Sequence, residues 1–101
     1  MMELNLNCDL GEKSNHYNGH NDEELLKIVN TANIACGYHA GNKGIISKTI
    51  KTAKLNKVSI GAHPGFKDKK NFGRKRLILS KIEIYKLVVE QLEIISEISK
   101  K

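Results

Sequence analysis

No apolar run in this sequence approaches the roughly 18 residues that a bilayer-crossing helix needs. The opening residues, MMELNLNCD, place no basic segment before an apolar one. Neither a membrane span nor a secretory leader is expected, and the chain reads as cytoplasmic, with no membrane partner. Cysteine is scarce: Cys8 and Cys36 stand too far apart for a CxxC pair or a zinc ribbon. Each falls inside an apolar strand pattern, so both are expected as reduced, buried thiols rather than nucleophiles. Arginine is scarcer than the net charge of +6 suggests, because Arg74 and Arg76 are the only two among 17 basic residues. Lys48, Lys51, Lys54 and Lys57 follow one segment, and Lys67, Lys69 and Lys70 another. Without aromatic interleaving or an arginine fork these are solvated faces, and no nucleic-acid partner is expected. No GxxxxGK[ST] loop cradles a phosphate, and no HxH pair fixes a metal geometry. No Pro-rich or Gly/Ser-rich linker divides the 101 residues, which are enough for one domain at most.

Alternation and helical periodicity supply the architecture. Leu4, Leu6 and Cys8 alternate with Asn5, Asn7 and Asp9, which predicts a strand over 4–8. A short helix follows in NDEELLKIVN, with Asn21 or Asp22 as its cap and Leu25, Leu26, Ile28 and Val29 as its apolar side. A second strand is expected over 32–37. Gly41 and Asn42 then break and cap the chain before a helix with Ile46, Ile50 and Ala53 on one stripe. The third strand is expected over 58–63 and ends at Pro64 and Gly65. After a polar loop, Ser80 and Glu83 match a capping box, and Ile84, Val88, Leu92 and Ile95 follow at helical spacing. The order βαβαβα implies an α/β fold with parallel strands and right-handed crossovers.

Sorting each strand by face separates two chemistries. One face carries Leu4, Leu6, Cys8, Ile34, Cys36, Val58, Ile60 and Ala62, and suits a covering of helices. The other carries Asn5, Asn7, Asp9, Asn33, Ala35, Gly37, Ser59, Gly61 and His63, and is small and polar. A doubly wound sheet would be apolar on both faces. One apolar and one polar face fits instead a barrel wall whose interior holds a site. Asp9, His39 and His63 sit at or just past the C-terminal strand ends, where β/α barrels carry their chemistry, and Glu12 is one turn further. These four are the candidate catalytic residues. Asp9, His39 and His63 equally suit a divalent metal with open positions or metal-free acid/base work.

The same segments carry a family resemblance. LNCDLGE (6–12), ANIACGYHAG (32–41), IGAHPGF with Asp68 (60–68) and NFGR (71–74) closely resemble the N-terminal motifs of the LamB/YcsF family. The likeness extends through LSKIEIYKLVVEQL (79–92). It implies an irregular, TIM-like β/α barrel, related in shape to sugar deacetylases. It also implies ATP-dependent hydrolysis of 5-oxo-L-proline to L-glutamate, with ATP as co-substrate, alongside two other 5-oxoprolinase subunits. Carried over by position, the polar motif residues are Asn7, Asp9, Glu12, His39, His63 and Arg74. Asn7, Asn33, Gly37, Gly61 and Arg74 are then candidates for substrate binding. The chain departs from the family pattern at Asn42 and Lys43, where an acidic residue and proline are usual. It departs again at Lys75, at Lys81, and at Glu90 ahead of Gln91.

A complete β/α barrel takes about 250 residues. Residues 1–101 are therefore expected to form a single partial domain: three βα units of an incomplete barrel, the N-terminal portion of such a protein. The remaining C-terminal barrel portion becomes an expected partner, and the chain alone is expected to be inactive and prone to self-association through free sheet edges. Two other functions fit the residues: a metal-dependent, deacetylase-like hydrolase using Asp9, His39 and His63, or a truncated remnant without function.

Overall fold

The computed structural model describes residues 4–101. Three strands, β1 (Asn7–Leu10), β2 (Thr31–Ala35) and β3 (Ser59–His63), form one parallel sheet in the order β1-β2-β3. Helices α1 (Asp22–Leu25), α2 (Lys43–Leu55) and α3 (Lys81–Ser99) follow the strands in turn, and a 3-10 turn at Lys69–Asn71 interrupts the last loop. The result is three βα units of an open α/β barrel wall, as the alternation of patterns predicts.

The register preserves the two faces. Asn7, Thr31 and Ser59 share one row across the sheet, and Asp9, Asn33 and Gly61 another. One step apart in parity, Leu10, Ile34 and Ala62 form the next row. The second set faces the helices. Leu10, Ile34 and Cys36 are sealed there with Leu26, Val29, Ile46, Ile50, Ala53 and Ile95. Full burial of each large aliphatic side chain contributes about 1.5–3 kcal/mol, so this layer is what holds sheet to helices. On the polar face Asn33 Nδ2 donates to Asn7 Oδ1 at 2.9 Å.

Helix starts follow their capping residues. Asn42 accepts the Ile45 N–H at 2.9 Å and opens α2, whose buried side is Ile46, Thr49, Ile50 and Ala53. Ser80 and Glu83 form the full reciprocal capping box of α3. The backbone N–H of Ser80 stabilises the Glu83 carboxylate and lowers its pKa.

Four expectations are corrected. The first strand begins at Asn7 rather than residue 4. Leu6 is occupied by the turn before β2, where its carbonyl accepts from Asn30 and Thr31 N–H and its own N–H donates to Asn30 Oδ1. The second strand stops at Ala35, because Gly37 enters a turn at φ +90° with its N–H on the Ala40 carbonyl. Helix α1 is a single turn. Its expected cap, Asn21, makes no side-chain cap bond, while Asp22 reaches back to the Gly11 N–H at 2.9 Å; Ile28 is left exposed. Finally, the buried stripe of α3 is Gln91 and Ile95, with Ile94 and Ile98 half-buried, whereas Ile84, Val88 and Leu92 stay open. None of the described helices is long and apolar enough to cross a membrane.

Candidate active site

Each strand delivers one loop to the same end of the sheet. After β1 the chain turns at Gly11 and presents Glu12. The next loop is locked onto it at Gly41, which adopts φ +76°. A Cβ at Gly41 would stand 2.5 Å from the Gly11 carbonyl oxygen, so only glycine lets the two loops touch. That contact places His39 against Glu12. The third loop starts at His63, and the segment around the 3-10 turn returns Phe72 to the His39 ring, edge-on at 5.2 Å. His16 of the first loop bonds the Lys70 carbonyl at 2.8 Å, closing the ring of three loops.

The side chains form a line of carboxylates and imidazoles. Asp9 Oδ1 lies 2.9 Å from His63 Nδ1. His63 Nε2 faces Glu12 Oε2 at 3.9 Å, and the same Glu12 oxygen meets His39 Nε2 at 2.9 Å. The two imidazole centroids are 4.9 Å apart. Burial grades steeply along the line: His39 is 3% exposed, Glu12 14% and Asp9 48%. Asp9 thus meets one ring nitrogen of His63 while the other faces Glu12, an arrangement that can do acid/base work.

This line borders a cavity of about 490 Å³. Asp9, Glu12, His39, His63 and Arg74 all line it, with an apolar side from Phe66, Phe72, Ile84, Leu87 and Val88. Asn7, Asn33 and Gly61 are not among its lining residues; they share the polar sheet face. Gly37 is also absent from the lining, since a Cβ there would point at Ile46 and Asn42 of the α2 start. The three metal-competent groups drawn together among the described residues are Glu12, His39 and His63, whose donor atoms lie within 4.8 Å of one another. Asp9 is therefore not in that trio; it sits on the far nitrogen of His63. Both cysteines are free thiols, with Cys36 sealed as expected and Cys8 only half-buried. Burial pushes Cys36 up to about 11. A thiol held there is no nucleophile at neutral pH.

Sequence reasoning missed Gln91. Its side chain is fully buried and joins the cavity wall. Oε1 accepts the Gly65 N–H at 2.9 Å, and Nε2 donates to the Gly65 carbonyl at 2.8 Å and to the Leu87 carbonyl at 2.9 Å. One amide thus ties α3 to the loop that covers His39. The available signal was a polar residue in the middle of the i, i+4, i+8 series Leu87, Gln91, Ile95.

Three parallel βα units that gather carboxylates and imidazoles at the C-terminal strand ends define a β/α-barrel wall bearing its polar site. The chain belongs to the LamB/YcsF family, which it matches over residues 4–101. It is 47% identical over 95 residues to the 5-oxoprolinase A subunit of Staphylococcus epidermidis, covering 94% of this chain and 38% of that protein. To the Staphylococcus aureus protein of the same name it is 44% identical over 91 residues, covering 90% and 36%. The solved lactam utilization protein from Thermus thermophilus superposes with a TM-score of 0.91 at 39% identity, over 98% of this chain and 40% of that one. The chain therefore spans under two-fifths of the length of these curated relatives.

Proposed function

We propose that this chain forms the N-terminal portion of a protein of 5-oxoprolinase type, in which it supplies part of a site for ATP-dependent hydrolysis of 5-oxo-L-proline to L-glutamate. The observation that carries the reading is the Asp9–His63 and Glu12–His39 pairing on one cavity, in a chain whose relatives are named for lactam chemistry. A lactam carbonyl is a poor electrophile. Transfer of a phosphoryl group from ATP to its oxygen releases ADP and activates the carbon. Water then adds, with one proton passing to a base, and Glu12 is the carboxylate in place for it. The C–N bond breaks as the ring nitrogen takes a proton, which His63, oriented by Asp9, is set to deliver. The product of that cleavage is an acyl phosphate, and a second water hydrolyses it, releasing inorganic phosphate and leaving the glutamate carboxyl.

The test is an assay for glutamate and ADP from 5-oxoproline and ATP. Turnover is expected when the chain is supplied with the remaining barrel portion and two other 5-oxoprolinase subunits, and is expected to vanish with Glu12→Gln. Turnover by the chain alone would overturn the partial-domain reading. A site built from loops of several strands is not completed by three, and open water weakens the electrostatic contacts that catalysis uses.

A second reading is favoured by one observation, the closeness of Glu12 Oε2, His39 Nε2 and His63 Nε2. Two imidazoles and a carboxylate are the donor set of hydrolytic zinc sites, with a position left for water. A bound divalent ion would supply Lewis acidity toward a carbonyl. Melting measured with added divalent ions should then rise by mass action, and His39→Ala should abolish the rise. A melting point indifferent to zinc, manganese and cobalt would leave the metal-free reading.

A further inference from the structure

Glu12, His39 and His63 line the cavity together with Arg74, the one permanent cation among its lining residues. Among the described residues Arg74 makes no ion pair. Its guanidinium is held over the Phe72 ring, 5.7 Å from the centroid, and the same ring meets His39 edge-on at 5.2 Å. One aromatic ring therefore neighbours both the cation and the imidazole–carboxylate pair, and Leu87 and Val88 line the same cavity. A stacked, charge-unpaired guanidinium beside apolar walls is a receptor for a planar anion, because its fork matches a carboxylate through two parallel bonds.

We infer that Arg74 is the carboxylate receptor of this site and that it selects small cyclic amides bearing a carboxylate over neutral lactams. The inference rests on the lactam-opening reading above and deepens it. A five-membered lactam with a carboxylate on the carbon beside nitrogen has the required shape: an acyl end for Glu12 and the histidines, an apolar edge for Phe72 and Leu87, and an anion for Arg74. A neutral lactam of the same ring leaves the guanidinium without a partner and loses the charge-assisted bonds, about 10- to 100-fold in affinity.

The experiment titrates 5-oxo-L-proline and 2-pyrrolidinone into the chain, by itself and together with the remaining barrel portion, following backbone amides by NMR. The carboxylated lactam should bind at least about 10-fold more tightly and shift the amides from Phe72 to Arg74. Arg74→Gln should erase the preference with its melting point unchanged, and Arg74→Lys should restore only part of it, since a point charge lacks the fork. Arg76→Gln, a neighbouring cation outside the cavity lining, should leave the preference intact and so separate a receptor from the general pull of a basic chain. Equal binding of the two lactams, or a preference that survives Arg74→Gln, would overturn the role of Arg74 while leaving the lactam reading in place. Failure of both preparations to bind either lactam would overturn the lactam reading, and this inference with it.

Discussion

The second and third βα units share one local grammar, strand, glycine, histidine, turn and helix, yet they end in different states. Strand β2 is paired on both sides, and Ala32, Ile34 and Ala35 within it are completely shielded. Its helix α2 buries four side chains in 13 residues. Strand β3 is paired on one side, and none of its five residues is fully buried. Helix α3 is longer, at 19 residues, but buries only Gln91 and Ile95 and exposes Ile82, Tyr85 and Leu92. Periodicity and capping set the type of each element. Place in the sheet sets how much of it is sealed. The site draws one histidine from each state, His39 shut in and His63 half open.

The sharpest break of this contrast is a cavity in the closed unit. Ile34→Ala should cost about 2–5 kcal/mol in denaturant unfolding, as for other fully buried aliphatic residues. A cost below about 1 kcal/mol would mean that the second unit is not the stable one. Next is the link between the units. Gln91→Leu leaves the Gly65 N–H and carbonyl without their partners and should cost about 1–3 kcal/mol. It should also speed hydrogen exchange at Gly65, and an unchanged exchange rate would show that the clamp holds nothing.

The first unit offers a smaller, pH-dependent case. Burial raises the Asp22 pKa above its ordinary 3.8, against the hydrogen bond from Gly11. A carboxyl raised on folding contributes stability that is full below its unfolded value and is lost as pH rises through its folded value. Asp22→Asn should therefore gain on the unmodified chain as pH rises from below the ordinary carboxylate value through the raised one. A gap that is flat or of opposite sign in urea titrations would refute this. The smallest expected change in folding free energy is at the open unit: Ile82→Ser should stay within about 0.5 kcal/mol, because its side chain is 68% exposed. The same substitution should reduce self-association in light scattering, and a stability loss above about 1 kcal/mol would show that this end of α3 is covered.

Much of the fold was legible because its signals are local. Period-two alternation around Asp9 and His63 put the polar residues on the correct sheet face, and the register aligns them as parity requires. Ser80, Glu83 and Asn42 announced their helices through hydrogen bonds that span three residues. Errors arose where a distant partner decides. Leu6 and Asp22 have their polar bonds taken by Asn30 and Gly11, which shortened a strand and a helix. At the site, Asp9, Glu12, His39 and His63 were named from strand ends and motifs. Their pairing was not legible, since the approach of Glu12 to His39 depends on two loops touching at Gly11 and Gly41. Gln91 was invisible for the same reason: its partner Gly65 lies on another loop.

The glycine contacts around His39 bear on time as well as space. A Cβ at Gly65 would fall within 2.8 Å of the His39 Cβ and nearer still to its ring, and one at Gly73 would stand 2.7 Å from that Cβ. The imidazole is thus walled by backbone on two sides. An exposed side chain changes rotamer in picoseconds to nanoseconds. His39 has no such freedom, because turning the ring requires the Gly65 loop to lift and Gln91 to release it. Reorientation of this histidine therefore keeps the slower clock of loop opening, microseconds or longer, and the residue that sets that clock lies 52 positions along the chain, on the last helix.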